Sequence, residues 1–313
     1  MSNVGRGAAI FGCAGPVLAA EERDFFRDCD PFGFILFARN VETPDQLRRL
    51  TSDLRAAVGR DAAILVDQEG GRVQRLRGPH WREWAPPLEF VQAAGANAAA
   101  AMGLRYRLIA RELRDAGIDA NCAPVADLIE GGTHPFLRNR CYGTDPVQVS
   151  MIGRAVAEAH LAEGVLPVLK HMPGHGRSEV DTHLDLPMAM TAHLVFTAYD
   201  TRPATQSPEM IRVIRDDIGF GGLLMTDDLN MQALKGGLAS RTAASIAAGC
   251  DIALHCKGDM AEMQAVAGAA GPMTDAALTR AKAAISARKT PEKVDIRALQ
   301  ADLSAMLPDG FHG

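Results

Sequence analysis

The chain has 313 residues, 47% of them apolar and 23% charged, a composition that excludes disordered and fibrous classes and a length that suits one large domain or two ordinary ones. Thirty-three Lys and Arg against 38 Asp and Glu give a net charge of −5, without the basic excess of a nucleic-acid-binding protein. No run approaches the roughly 18 uncharged apolar residues of a membrane helix, and the opening MSNVGRGAAIFGCAGP has no sustained apolar core of a signal peptide.

Eight short runs, apolar on both parities, have the pattern of parallel strands buried on both faces. In chain order they are Ala8–Gly12, Gly33–Phe37, Ala62–Asp67, Asp119–Pro124, Val165–Lys170, Met188–His193, Gly221–Asp227 and Asp251–His255. Amphipathic stretches lie between most of them. Pro44–Val58 is expected to be capped by Thr43, Pro146–Glu163 by Asp145 and Pro208–Asp217 by Ser207, each with proline at the first helical position. Asn97–Ala116 and Arg241–Ala248 stop at Gly117 and Gly249, and Ala261–Ala269 and Asp275–Lys289 follow the eighth strand. No linker or repeat divides the pattern, which predicts an α/β fold, a single (β/α)8 TIM-type barrel over residues 1–313. The alternative is a doubly wound sheet, but Gly12-Cys13-Ala14-Gly15 only faintly resembles its Gly-rich turn. One interval breaks the rhythm: residues 171–187 hold Pro173, Gly174 and Gly176 and read as loop throughout, so the helix between strands five and six is missing. The six cysteines form no CxxC pair and read as buried thiols in a reducing cytoplasm.

Active sites of such barrels lie at the C-terminal ends of the strands. There the sequence places Arg39-Asn40, Asp67-Gln68-Glu69, Asp127, Lys170-His171, His193, Asp227-Asp228 and His255. The densest cluster is His171, His175, Asp181 and His183. It has two functional readings, a metal site or acid–base catalysis in which Asp181 orients His183. Asp227, at the end of an apolar strand, suits a nucleophile toward an anomeric carbon, with Asp228 free to cap. In the third cluster, Asp67-Gln68-Glu69-Gly70-Gly71-Arg72 and on to Arg75, paired glycines allow a tight turn near a ligand whose hydroxyls Asp and Arg could bind.

These segments together resemble glycoside hydrolase family 3, and within it the single-domain bacterial β-N-acetylglucosaminidases of peptidoglycan recycling. The motifs are GFILFARN (33–40), DQEGGRVQRL (67–76), NCAPVADL (121–128), RCYGTDP (140–146), KHMPGHG with DTH (170–183), MTAHLVF (190–196), PATQS (203–207) and GFGGLLMTDDLNM (219–231). The resemblance implies a retaining two-step mechanism with Asp227 as nucleophile and His183 as acid/base, oriented by Asp181. It implies that Asp67, Arg75, Arg140, Lys170 and His171 hold the sugar hydroxyls and the N-acetyl group. A neutral imidazole beside a carboxylate nucleophile avoids the like-charge penalty of two carboxylates. Thr182 and Met172 depart mildly from relatives. The larger departure is that Pro187 joins Met188 directly, where relatives carry a helix-length segment. Either the chain has a real deletion or residues are absent from the sequence there, and the wholeness of the flanking motifs favours absent residues.

The expected activity is removal of terminal non-reducing β-linked N-acetylglucosamine from cell-wall fragments in the cytoplasm, by a monomer or weak homo-oligomer. No metal or cofactor, nucleic acid or membrane is expected as a partner; the partner is a GlcNAc-containing muropeptide. The rivals are phosphorolysis of the same glycosyl-enzyme, a metal-dependent hydrolase using His171, His175 and His183, and a catalytically impaired GlcNAc-binding barrel.

Overall fold

The computed structural model describes residues 4–174 and 186–311. Eight parallel strands close into a barrel in sequence order: β1 (Gly7–Gly12), β2 (Pro31–Leu36), β3 (Ala63–Val66), β4 (Ala120–Asn121), β5 (Leu166–Met172), β6 (Met188–Thr191), β7 (Leu223–Asp228) and β8 (Ile252–His255). All eight expected strands are present. Closure through β1 and β8 pairs every strand on both sides, removes sheet edges and excludes the doubly wound alternative.

The termini of the helices follow the expected capping chemistry. Thr43 accepts from Gln46 N, Asp145 from Val147 N and Ser207 from Met210 N, at the starts of Pro44–Val58, Pro146–Ala162 and Pro208–Arg212. Gly117 and Gly249 leave their helices with positive φ. The helix Ala20–Cys29 was not apparent from its pattern. Its sequence is mostly charged, only Glu22 and Phe26 are buried, and its start is held by the Glu22 carboxylate, which accepts from the Ala14 and Ala19 amides.

Two strands differ from expectation for local reasons. β4 contributes only two residues to the regular ladder, Pro124 bringing no donor, although the Ala123 and Pro124 carbonyls still accept from the Val168 and Lys170 amides of β5. β5 runs two residues further than expected, so His171 lies in the strand and not in the loop after it. Between β5 and β6 no described residue is helical, as the sequence implied. The two strands nevertheless pair directly, with Val168 opposite Met188, and the Pro187 carbonyl accepts from Leu223 N at 2.9 Å. No helix among the described residues is long and apolar enough to cross a membrane.

Candidate active site

The mouth of the barrel is built first by a small antiparallel ribbon after β3, Gln68–Gly70 against Val73–Gln74. Gly70 and Gly71 turn it with φ of 109° and 57°, and a Cβ on Gly70 would overlap the Arg105 guanidinium. The buried Gln68 side chain ties the ribbon shut: its Oε1 accepts from the Arg75 and Leu76 amides at 2.9 and 3.1 Å, and its Nε2 donates to the Leu76 carbonyl. Gln68 in turn hangs from Asn121, whose Oδ1 accepts from the Gln68 amide at 2.9 Å. Asn121 is oriented by the fully buried His160. The His160 Nδ1 lies 2.7 Å from the Val156 carbonyl and so carries the proton, leaving Nε2 to accept from Asn121 at 3.0 Å. Burial holds this imidazole down at about 4, hence neutral.

On this frame sits a network of five charges. Asp67 accepts from Lys170 Nζ at 2.7 Å and from Arg75 Nη2 at 2.9 Å. Glu69 accepts two parallel bonds from Arg140, both 2.8 Å, and lies 2.6 Å from Lys170 Nζ. Burial alone would raise both carboxyls; Lys170 with Arg75 for Asp67, and Lys170 with Arg140 for Glu69, reverse that and hold both below the usual carboxylate range. Burial would likewise strip Lys170 of its proton, and the two carboxylates overturn this and raise it. Two anions against three cations leave an excess positive charge facing the cavity.

Beneath the network, Arg105 is fully buried. It donates to the Glu69 carbonyl at 2.6 Å and the Ala85 carbonyl at 2.8 Å, and its guanidinium lies over the rings of Phe90 and Trp84. No carboxylate pairs with it among the described residues.

The opposite wall comes from β5 and β7. The His171 Nδ1 lies 2.7 Å from the buried Asp127 carboxylate, which fixes that nitrogen as the donor and turns Nε2 toward Asp227 Oδ2 at 3.9 Å, too long for a hydrogen bond. Asp227 is one-fifth exposed, lines a cavity of about 570 Å³ together with His171 and Arg140, and accepts from the Asp228 amide. Asp228 does the backbone work expected of it, though for a turn and not a helix: it accepts from the Asn230 and Cys256 amides, and the next helix starts only at Leu238. Arg140 of the network lines the same cavity as His171 and Asp227, so the two walls face one space.

Asp67, Arg75, Arg140, Lys170, His171 and Asp227 are thus brought together. Asp181 and His183, with His175, lie outside the described residues. Three other polar groups at strand ends are structural. Asn40 is buried and bonds the Cys13 and Gly15 carbonyls, His193 bridges Thr205 and the Asp228 carbonyl, and His255 is buried with neither ring nitrogen hydrogen-bonded among the described residues. Burial lowers both histidines, which stay neutral. Glu69 as the hub of the network and Asp127 as the orienter of His171 were not recognised from sequence. Among the described residues no three His, Cys, Asp or Glu are arranged to hold a metal.

A closed parallel barrel with a carboxylate at the mouth of one strand, facing a wall of charged donors and acceptors, is the framework of a barrel glycoside hydrolase. The sequence matches the glycosyl hydrolase family 3 N-terminal domain over residues 17–189 and 185–288, and the chain belongs to that family. It is an enzyme of this glycosidase class, on the branch of bacterial β-N-acetylhexosaminidases. A β-hexosaminidase of Methylococcus capsulatus is 34% identical over 278 residues, 79% of this chain and 82% of that one, and one of Xanthomonas campestris is 34% identical over 297 residues, 83% and 88%. NagZ from Neisseria gonorrhoeae, solved with a zinc ion, superposes with a TM-score of 0.84 at 28% identity, over 98% of this chain and 100% of that one. The same protein solved with N-trifluoroacetyl-D-glucosamine superposes at 0.81, also at 28% identity, over 98% of this chain and 99% of that one. The two matched pieces of the family domain meet at the junction of Pro187 and Met188, where the sequence lacks a helix.

Proposed function

We propose that the protein is a retaining β-N-acetylglucosaminidase that removes terminal non-reducing N-acetylglucosamine from peptidoglycan fragments. The observation that carries this reading is the Asp227 carboxylate on the cavity floor, one-fifth exposed and opposite the network of Asp67, Arg75, Arg140 and Lys170. The wall offers both acceptors and fixed donors, which suits hydroxyls and an amide. Asp227 attacks the anomeric carbon and forms a glycosyl-enzyme. His183, oriented by Asp181, protonates the departing oxygen and then activates water, in the arrangement that the family resemblance implies. His171, held by Asp127, binds the sugar beside the nucleophile. The peptidoglycan substrate and cytoplasmic location rest on the resemblance to recycling enzymes. The test is an aryl β-GlcNAc substrate followed by NMR: wild type releases the β-anomer first, and Asp227→Ala lowers turnover at least about a thousandfold while the protein stays folded. Wild-type turnover in the variant refutes the assignment. The product in phosphate buffer, free GlcNAc or its 1-phosphate, separates hydrolysis from phosphorolysis.

A further inference from the structure

Two motifs, MTAHLVF (190–196) and PATQS (203–207), give no polar side chain to the charged wall, yet they meet in one buried chain of hydrogen bonds. After β6 the chain folds back on itself: the Ala204 amide donates to the Leu194 carbonyl at 2.7 Å and the Thr205 amide to the Ala192 carbonyl at 3.2 Å. This return sets the fully buried Thr205 hydroxyl 2.8 Å from the Thr191 hydroxyl and 2.7 Å from His193 Nδ1. The other ring nitrogen, Nε2, lies 3.0 Å from the Asp228 carbonyl. A carbonyl only accepts, so Nε2 carries the proton. Burial keeps the ring neutral, so Nδ1 is bare and the Thr205 hydroxyl donates to it. The Ala192 carbonyl, 2.9 Å from that hydroxyl, is left to the Thr205 amide. Thr205 has no second hydroxyl proton, which makes Thr191 the donor of the remaining bond. The bonds therefore run one way, from Thr191 to Thr205 to His193 to the Asp228 carbonyl.

This relay ends on the part of β7 that carries Asp227, where the sheet itself holds the chain poorly. The ladder between β6 and β7 stops with Met190 opposite Met225. Against β8, the three steps from Met225 to Asp228 face only the two from Ile252 to Leu254, a bulge that takes Asp227 out of the regular pleat. Past the ladder, His193 ties Asp228 to the end of β6. On the β8 side the Leu254 carbonyl accepts from Leu229 N at 3.0 Å, and the Asp228 carboxylate accepts from the Cys256 amide at 3.3 Å. Asp228, fixed from both sides, aims its own amide at Asp227 Oδ1, 2.7 Å away. Oδ2, the oxygen 3.9 Å from His171 Nε2, is left without a hydrogen bond among the described residues.

We propose that His193 is a positioning residue for the nucleophile: its Nε2–H, oriented by Thr205 and Thr191, holds Asp228 so that Asp227 Oδ1 is tied down and Oδ2 is the oxygen that attacks the anomeric carbon. The proposal rests on the reading of Asp227 as nucleophile and adds how that carboxylate is aimed. An attacking oxygen works from about 3–3.5 Å and in line, and a misplacement near 1 Å costs about a hundredfold. The sugar is held by other side chains, so loss of aim lowers kcat and leaves KM in place.

The test is steady-state turnover of an aryl β-GlcNAc by wild type, His193→Phe, His193→Gln, Thr205→Val, Thr205→Ser and Asp227→Ala, with circular dichroism of each to establish folding. His193→Phe keeps a ring and loses both nitrogens; its kcat should fall about 10–100-fold with KM within about twofold of wild type. His193→Gln returns an N–H near the Nε2 position and should recover at least about threefold of that loss. Thr205→Val removes the donor to Nδ1 and should lower kcat at least about fivefold, whereas Thr205→Ser, with its hydroxyl, should lose less than about threefold. If His193→Phe does not fold, the glutamine and Thr205 variants decide alone. Full kcat in folded His193→Phe, a loss carried by KM, or equal losses in Thr205→Val and Thr205→Ser overturns the positioning role, while an inactive Asp227→Ala still upholds the nucleophile. Wild-type turnover by Asp227→Ala removes both.

Discussion

Replacing Glu69 by Gln removes the hub of the charged wall with little change of shape. The side chain is fully buried, accepts two bonds from Arg140 and is ion-paired at 2.6 Å with Lys170, itself 2% exposed. The variant leaves Lys170 with Asp67 as its only carboxylate and turns an amide N–H toward donors. Breaking a buried ion pair from one side costs about 3–5 kcal/mol, because the partner stays buried and uncompensated. Against a typical stability of about 5–15 kcal/mol this is a large fraction, and it should lower Tm on the order of 10 °C. The assay is urea unfolding of wild type, Glu69→Gln, Lys170→Met and the double variant. The double variant should be more stable than the sum of the single losses predicts, by about 1–3 kcal/mol, since it removes both members of the pair. In the same proteins KM for an aryl β-GlcNAc should rise in Glu69→Gln, as Arg140 and Lys170 lose their fixed positions. Additivity within about 0.5 kcal/mol, or a single variant as stable as wild type, refutes the reasoning.

Three further outcomes follow from the geometry. Asp127→Asn takes the anionic partner from His171 Nδ1 and should lower kcat/KM about 10–100-fold with an altered pH profile, measured by steady-state kinetics across pH. Glu112, pushed up to about 7 by burial and with Oε2 unbonded among the described residues, binds a proton more tightly folded than unfolded. Stability therefore falls as pH rises from about 4 to 7, by about 3 kcal/mol in all, and Glu112→Gln should be more stable than wild type at pH 8 with no difference at pH 4. His160 has the opposite sign: its folded value of about 4 lies below the unfolded 6.5, so the stability it contributes is present above 6.5 and is lost as pH falls toward 4. Urea unfolding of His160→Gln at pH 7, 5.5 and 4 should show a shallower acid loss than wild type; an equal loss refutes the assignment.

The barrel was legible because strands buried on both faces leave continuous apolar runs and because Thr43, Asp145 and Ser207 announce helix starts by local chemistry. The positions of Asp67, Lys170 and Asp227 were legible for the same reason: they close those runs. Glu69 was not, since its partner Arg140 is 71 residues away and no local pattern marks a glutamate as a hub. His193 and His255 misled in the other direction. Both stand at strand ends, yet His193 is spent on Thr205 and the Asp228 carbonyl, and His255 faces the packed side near Phe11. Position at a strand end is a property of sequence; the direction of the side chain is a property of packing.

The central claim is that Asp227 forms a covalent bond to the sugar. A fluorinated N-acetylglucosaminyl donor that forms a glycosyl-enzyme but releases it slowly should add one sugar mass to the intact protein. Peptide mapping should place that mass on the segment carrying Asp227, and Asp227→Ala should stay unlabelled. Label on another carboxylate, such as Asp67 or Asp228, or turnover by wild type with no labelled species, contradicts the account.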